Sequence, residues 1–271
     1  MRQTGKQTGI IELLEWAYRQ ELPKAERAVA SGTQTASAAS SWGMVYDFGI
    51  LGTVIDAPLN AHGVVPIWMD AGDVHPDALI IGRAVDGLAG LSVEIAPDWS
   101  PFADWADADG LVAEAVRRRR WRLVKLAGRE IRTMVIARAV LGRAPDWRGA
   151  EPGRTMVTRG GKPAWFMKQM RIDHSSGMEF ECEVDGYNPR SRRPRPGAYR
   201  KYLLCDDVEG LAEERFRRSV WALAVRHVAA SVAGHLASHE LSAEVPTVAP
   251  WEADAVAGGA TSVKFTLGLK S

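Results

Sequence analysis

Apolar residues at helical spacing open the chain. Ile10, Leu13, Leu14, Ala17 and Tyr18 recur at i, i+3, i+4, i+7 and i+8, so an amphipathic helix is predicted there, with Thr8 or Gly9 as its cap. Pro23 predicts either a kink in it or the first turn of a second helix over 23–31, stopped by Gly32. The small polar run 31–41 reads as a link, and 43–63, broken by four glycines, has no assignable period. A helix over 73–88 is predicted from Pro76 in its first turn, preceded by Asp73 or His75, and from the stripe Ile81, Ala84, Val85 and Leu88. A short strand over 91–95 follows. Asp109 then caps a single long helix reaching Leu141, with Gly142 and Pro145 as its stop.

Beyond Pro145 the period changes from 3.6 to 2. Residues 164–172 and 178–185, joined by the turn 173–177, predict a β-hairpin. Pairing Ile172 with Met178 sets Met170 opposite Phe180 and Phe166 opposite Val184, with Arg171 opposite Glu179 on the other face. The apolar face is expected to be buried against the last helix through Trp221 and Val225, which would set the cost of Phe180→Ala at roughly 3–5 kcal/mol. A third strand is predicted over 199–205. The final helix runs from Val208 to about Leu241, and Val263, Phe265, Leu267 and Leu269 alternate like a strand. The predicted fold is α+β: a helical N-terminal portion (1–148), a small antiparallel β-sheet packed on a long C-terminal helix (149–250), and a tail (251–271).

A composition of 46% hydrophobic and 25% charged residues is that of a globular chain. No apolar run approaches the roughly 20 residues of a membrane helix, and the polar N-terminus is not a secretory signal. Cys182 and Cys205 form no CxxC pair, so free thiols and a cytoplasmic location are expected and no metal is assigned to them. Charge is segregated. Residues 1–108 hold 6 Lys/Arg against 14 Asp/Glu, a net of −8, whereas residues 109–201 hold 22 against 10, a net of +12. Such a field attracts polyanions, unless the basic stretch docks on the acidic first third of the same chain.

The basic stretch Arg190, Arg192, Arg193 and Arg195, punctuated by Pro194 and Pro196, runs into Tyr199, Arg200 and Lys201. Guanidinium groups fork onto phosphate, an extended Pro-rich segment lets them follow a backbone, and tyrosines can stack on bases. Arg118 and Arg122, within the run 117–122, extend the candidate nucleic-acid surface. Other clusters point to weaker chemistry. Asp70, Asp73, His75 and Asp77 read as a loop and helix cap. His235 and His239, at i, i+4 on the expected last helix and with His227 behind them, read as helix-surface histidines because HExxH is absent. Glu179, Glu181, Glu183 and Asp185 read as the wet face of a sheet; holding a catalytic metal would require a histidine to converge on them. No Walker loop, GxSxG elbow or GxGxxG fingerprint occurs.

The segment VDGYNPRSRRPRPGAYRKYLL, the Trp-containing helix after it and the Pro250-Trp251 pair resemble uncharacterised proteins of bacterial prophage and transposable-phage gene clusters, over roughly 150–251. That resemblance implies DNA-related work in a bacterial cytoplasm and supplies no catalytic residue or cofactor. The expected function is therefore non-enzymatic nucleic-acid binding by an accessory or regulatory protein. The alternatives are a protein-interaction module, self-association included, and, third, a metal-dependent phosphodiesterase.

Overall fold

The computed structural model describes residues 6–25, 59–66, 72–94, 99–123, 126–175, 177–252 and 266–269. The link 31–41, most of the segment 43–63 and Asp70 lie outside them. The fold is α+β, with five α-helices among the described residues and strands paired two by two. The chain divides into two compact units. The first comprises 1–106, 118–148 and 211–271, the second 107–117 and 149–210.

In the first unit, β1 (Lys6–Thr8) leads into α1 (Ile10–Trp16), which continues as a π turn over Ala17–Glu21 and a 3-10 turn over Leu22–Lys24. All five stripe residues from Ile10 to Tyr18 are buried, as the period required. Pro23 sits in the 3-10 turn, after which Ala25 is extended; the rest of the second helix expected over 23–31 lies outside the described residues. Helix α2 (Pro76–Gly87) buries Ala78, Ile81 and Val85 and leads through a tight turn into β2 (Leu91–Glu94).

The expected single helix over 109–141 is two helices, α3 (Leu111–Leu123) and α4 (Gly128–Leu141). The reason lies at Gly128. A Cβ there would stand 2.5–2.6 Å from the carbonyl oxygens of Leu88, Ala89 and Leu91, so only glycine allows this close backbone approach. Ala127 is extended, and Glu130 reaches back to accept from its N–H at 2.7 Å, so a new helix starts there.

Helix α5 (Val208–Val232) buries residues on nearly every side between Ser219 and Val225, as a helix surrounded by other elements does. It ends nine residues before the expected Leu241. Gly234 takes φ +76°, the left-handed stop that glycine provides. The carboxylate of Asp77 then captures the backbone N–H groups of Ala237, Ser238 and His239 at 2.6, 2.9 and 3.1 Å. Burial pushes this carboxyl up, but those donors and the His239 ring outweigh burial and hold it below its ordinary range. The chain leaves as strand β11 (His239–Leu241; numbered after β3–β10 of the second unit), parallel to β1, so His235 and His239 are not helix-surface neighbours. Strand β12 (Thr266–Leu269) pairs antiparallel with β2.

The second unit is built from short antiparallel ladders: β3 (Arg154–Met156) with β10 (Tyr202–Leu204), β4 (Thr158–Arg159) with β5 (Lys162–Pro163), β6 (Phe166–Ile172) with β7 (Glu179–Asp185), and β8 (Tyr187–Asn188) with β9 (Arg193–Pro194). A bridge between Phe166 and Tyr199 ties the third strand segment to β6. Arg154 clamps Asp107, Asp109 and Glu151, while Asp107 also accepts from the N–H groups of Val112 and Ala113 at the start of α3.

The β6–β7 hairpin corrects two expectations. Its register is shifted by one residue: Ile172 faces Glu179, Met170 faces Glu181 and Phe166 faces Asp185. Its apolar residues are not buried either, since Phe180 is 47% and Met170 57% exposed. Trp221, expected beneath this hairpin, lines a small cleft with Ile11, Leu14 and Val135 of the first unit. Among the described residues, no helix is long and apolar enough to cross a membrane.

Candidate functional site

The arginine-rich stretch forms a hairpin where an extended loop was expected. Tyr187 pairs with Pro194 and Asn188 with Arg193, and the Arg195 N–H donates to the Gly186 carbonyl at 2.8 Å. The connection 189–192 is pinned by the Asn188 side chain, whose Oδ1 accepts from the N–H groups of Arg190 and Ser191 at 3.0 and 3.4 Å. Arg192 has φ +53°, a left-handed conformation uncommon outside glycine, which closes the turn. The sequence signal was the Asn188-Pro189 pair, a turn initiator followed by too few alternating residues to reveal a ladder.

All four arginines of this hairpin, Arg190, Arg192, Arg193 and Arg195, are exposed. Among the described residues none of their guanidinium groups meets a carboxylate. The surrounding cations differ. Lys168 pairs with Glu181 at 3.0 Å, Arg159 with Asp185 at 2.9 Å and Lys201 with Glu183 at 2.6 Å. The second unit as a whole carries 12 Lys/Arg and 12 Asp/Glu and is neutral in sum; four of its cations stand together on β8–β9, while Lys162 on β5 and Arg171 on β6 stand singly.

Three of the candidate binding residues are engaged internally. The Tyr199 hydroxyl donates to Glu183 at 2.5 Å, and that bond pushes its pKa up to about 12. Lys201 and Tyr199 together hold the Glu183 carboxyl below its ordinary range. Arg200 donates to the carbonyls of Pro163 and Ala164, and its guanidinium lies 3.8 Å from the centre of the Trp165 ring. These side chains brace the sheet beside the hairpin. Arg118 is exposed on α3, and the side chain of Arg122 lies outside the described residues.

Glu179, Glu181, Glu183 and Asp185 are exposed, as a wet sheet face requires. Glu181 and Glu183 pair with lysines, Asp185 with an arginine and Glu183 also with a tyrosine, and among the described residues no histidine joins them. The one cluster of potential metal ligands among the described residues is elsewhere, at His75, Asp77 and His239. Cys182 and Cys205 are free thiols. Comparison adds no further constraint, because no protein-family model, curated protein or solved structure matches the chain.

Proposed function

We propose that this chain is a non-enzymatic, cytoplasmic nucleic-acid-binding accessory protein whose β8–β9 hairpin engages the phosphate backbone. One observation carries the reading: four exposed guanidinium groups without carboxylate partners share a short hairpin, while Arg159, Lys168 and Lys201 on neighbouring strands are each paired with a carboxylate. Arginine forks match phosphate oxygens bidentately, and a turn already fixed by main-chain bonds loses little freedom on binding. Tyr199, Arg200 and Lys201 act from behind, holding the strands that carry the hairpin. The likeness to phage-cluster proteins agrees with work on DNA.

The test is a salt titration of duplex and single-stranded DNA binding. Replacing Arg190, Arg192, Arg193 and Arg195 together by Ala is expected to weaken binding regardless of sequence. On duplex DNA each lost phosphate contact removes about 0.9 from the slope of log K against log salt, so four contacts change it by roughly 3–4 units. Equal slopes, or no binding by the folded parent, overturn the proposal.

A second reading, a protein-interaction module, draws on Met170, Ile172, Met178 and Phe180, which are exposed at the far end of the β6–β7 hairpin. An exposed apolar end on a two-stranded ribbon favours a protein contact. Met178→Ser with Phe180→Ser, which add no charge, would abolish such a contact and leave DNA affinity unchanged.

A further inference from the structure

We propose that His75, Asp77 and His239 form a site for a divalent transition-metal ion of the zinc class. Their ligand atoms all lie within 4.8 Å of one another, although the chain separates His239 from the other two by some 160 residues. Two imidazoles and a carboxylate are a donor set suited to zinc, with about 2.0–2.2 Å from ion to each ligand and about 3.4 Å between ligands of a tetrahedral ion. His239 Nδ1 already stands 2.8 Å from Asp77 Oδ2. A proton now joins these atoms. An ion between them takes that proton's place, and the proton shifts to Nε2 of the ring or leaves to solvent.

The fold holds the three ligands before any ion arrives. Asp77 is 0% exposed and sits in the first turn of α2, with the 237–239 segment fastened to it by three backbone N–H groups. Its Oδ2, once an ion replaces the His239 ring proton, keeps the N–H groups of Ser238 and His239, while Oδ1 keeps that of Ala237. His75 is the cap of α2. Its own N–H donates to Glu21 Oε2 at 3.0 Å, and its Nδ1 accepts from the Asp77 N–H at 3.1 Å. That bond means Nδ1 carries a lone pair and no proton, so an ion competes there with one modest hydrogen bond. The Trp16 ring packs against both imidazoles, with centroids 5.2 Å from His75 and 4.6 Å from His239. Bonds that orient metal ligands in this way are the usual support of a site.

The arrangement is also open. His75 and His239 are partly exposed, so the remaining coordination position faces solvent. Three protein ligands with one open position is the form in which zinc carries a water molecule, whereas closed structural sites use four. The ligand class for that fourth position is accordingly water, hydroxide or a small oxygen donor.

The experiment uses the full chain, stripped by chelator and titrated with Zn²⁺ by calorimetry and with Co²⁺ by visible absorption. The discriminating variants are His75→Asn and His239→Asn. Asparagine at 75 remains a good helix cap, and at 239 it still has an N–H to donate towards Asp77, so both keep the structural bonds and remove only the imidazole. The parent is expected to bind one equivalent, and each variant to bind at least about 100-fold more weakly, since loss of a supporting residue alone costs 10–100-fold. Zinc is expected to raise the melting temperature of the parent and of neither variant. The Co²⁺ spectrum is expected to show d–d bands without thiolate charge transfer. Absence of saturable binding by the folded parent overturns the site and leaves a hydrogen-bonded clamp. Equal affinity in parent and variants, or thiolate bands from Cys182 or Cys205, overturns it as well.

Discussion

Arg215 is the most completely enclosed cation in the described residues, at 1% exposure. Both terminal nitrogens bind the Asp104 carboxylate, at 2.5 and 2.8 Å. Nη1 also donates to the Pro101 carbonyl, and Nε donates to that of Trp147. Phe102, Trp105 and Trp251 surround the guanidinium at 5.1–5.2 Å. A buried pair is costly to break because the surviving partner keeps its desolvation penalty. Arg215→Ala is expected to destabilise the chain by about 3–5 kcal/mol, read from denaturant unfolding. Arg215→Lys, which cannot fork, should recover only part of that. A loss below about 1 kcal/mol for the alanine variant would show that the enclosure is not energetically coupled. Glu252 lies at the opposite pole. Its Oε1 is buried with no hydrogen-bond partner among the described residues, and burial pushes its carboxyl above the ordinary 4.5. The folded chain then binds more protons than the unfolded chain just above pH 4.5, so stability falls as pH rises through that window. Glu252→Gln is expected to be more stable than the parent at pH 7 and equal to it near pH 3; thermal melts at the two values decide. Neither residue stood out in the sequence, because a lone Arg or Glu in a helix or turn shows its surroundings only after folding.

At the scale of elements, what was legible depended on whether a buried face existed. The α1 stripe and the Pro76 start of α2 were readable, since each presents one face to a core and apolar period reports burial. Hairpin register was not. Both faces of β6–β7 are largely exposed, so no burial term penalises a one-residue slip, and the turn decides. Here Asp173 N–H donates to Met178 O and Gly177 closes the turn at φ +68°, giving a four-residue connection where five had been expected. Phe180→Ala should therefore cost about 1 kcal/mol, in place of the 3–5 kcal/mol of a buried ring. Urea midpoints separate the two values. The break between α3 and α4 was equally invisible, because Gly128 matters through carbonyls some 40 residues away. Gly128→Ala forces backbone against backbone, which cannot swing aside as a side chain does. A cost of roughly 1–3 kcal/mol, at the upper end, is expected from the same measurement.

Over the whole molecule, the charge segregation seen in the sequence resolves into two unlike parts. Residues 118–148 hold 10 Lys/Arg against 2 Asp/Glu, a net of +8, in the first unit, while the second unit is neutral in sum and gathers four arginines on one hairpin. The candidate histidine cluster was legible only as fragments, since His75 with Asp77 and His239 each looked bland until Asp77 drew 237–239 onto α2. Burial is divided just as unevenly. Of the buried apolar residues, the second unit holds Val112, Ala115, Val116, Ala164 and Val208, and nearly all the large ones belong to the first. Local opening is easiest where apolar contacts are few, so amides of β6–β7 should exchange with deuterium well before those in the centre of α5. Ligands then report where they bind. DNA at about 100 times its Kd should add up to about 2.7 kcal/mol of protection, and in the second unit first if β8–β9 is the contact. Zinc should instead protect 75–79 and 237–241. Exchange followed by mass spectrometry with each ligand separates these outcomes. Protection by DNA confined to the first unit would move the interface to the arginines of 118–148. Protection spread evenly over both units would mean that they open as one cooperative body, and the low-stability assignment of the hairpins would fall.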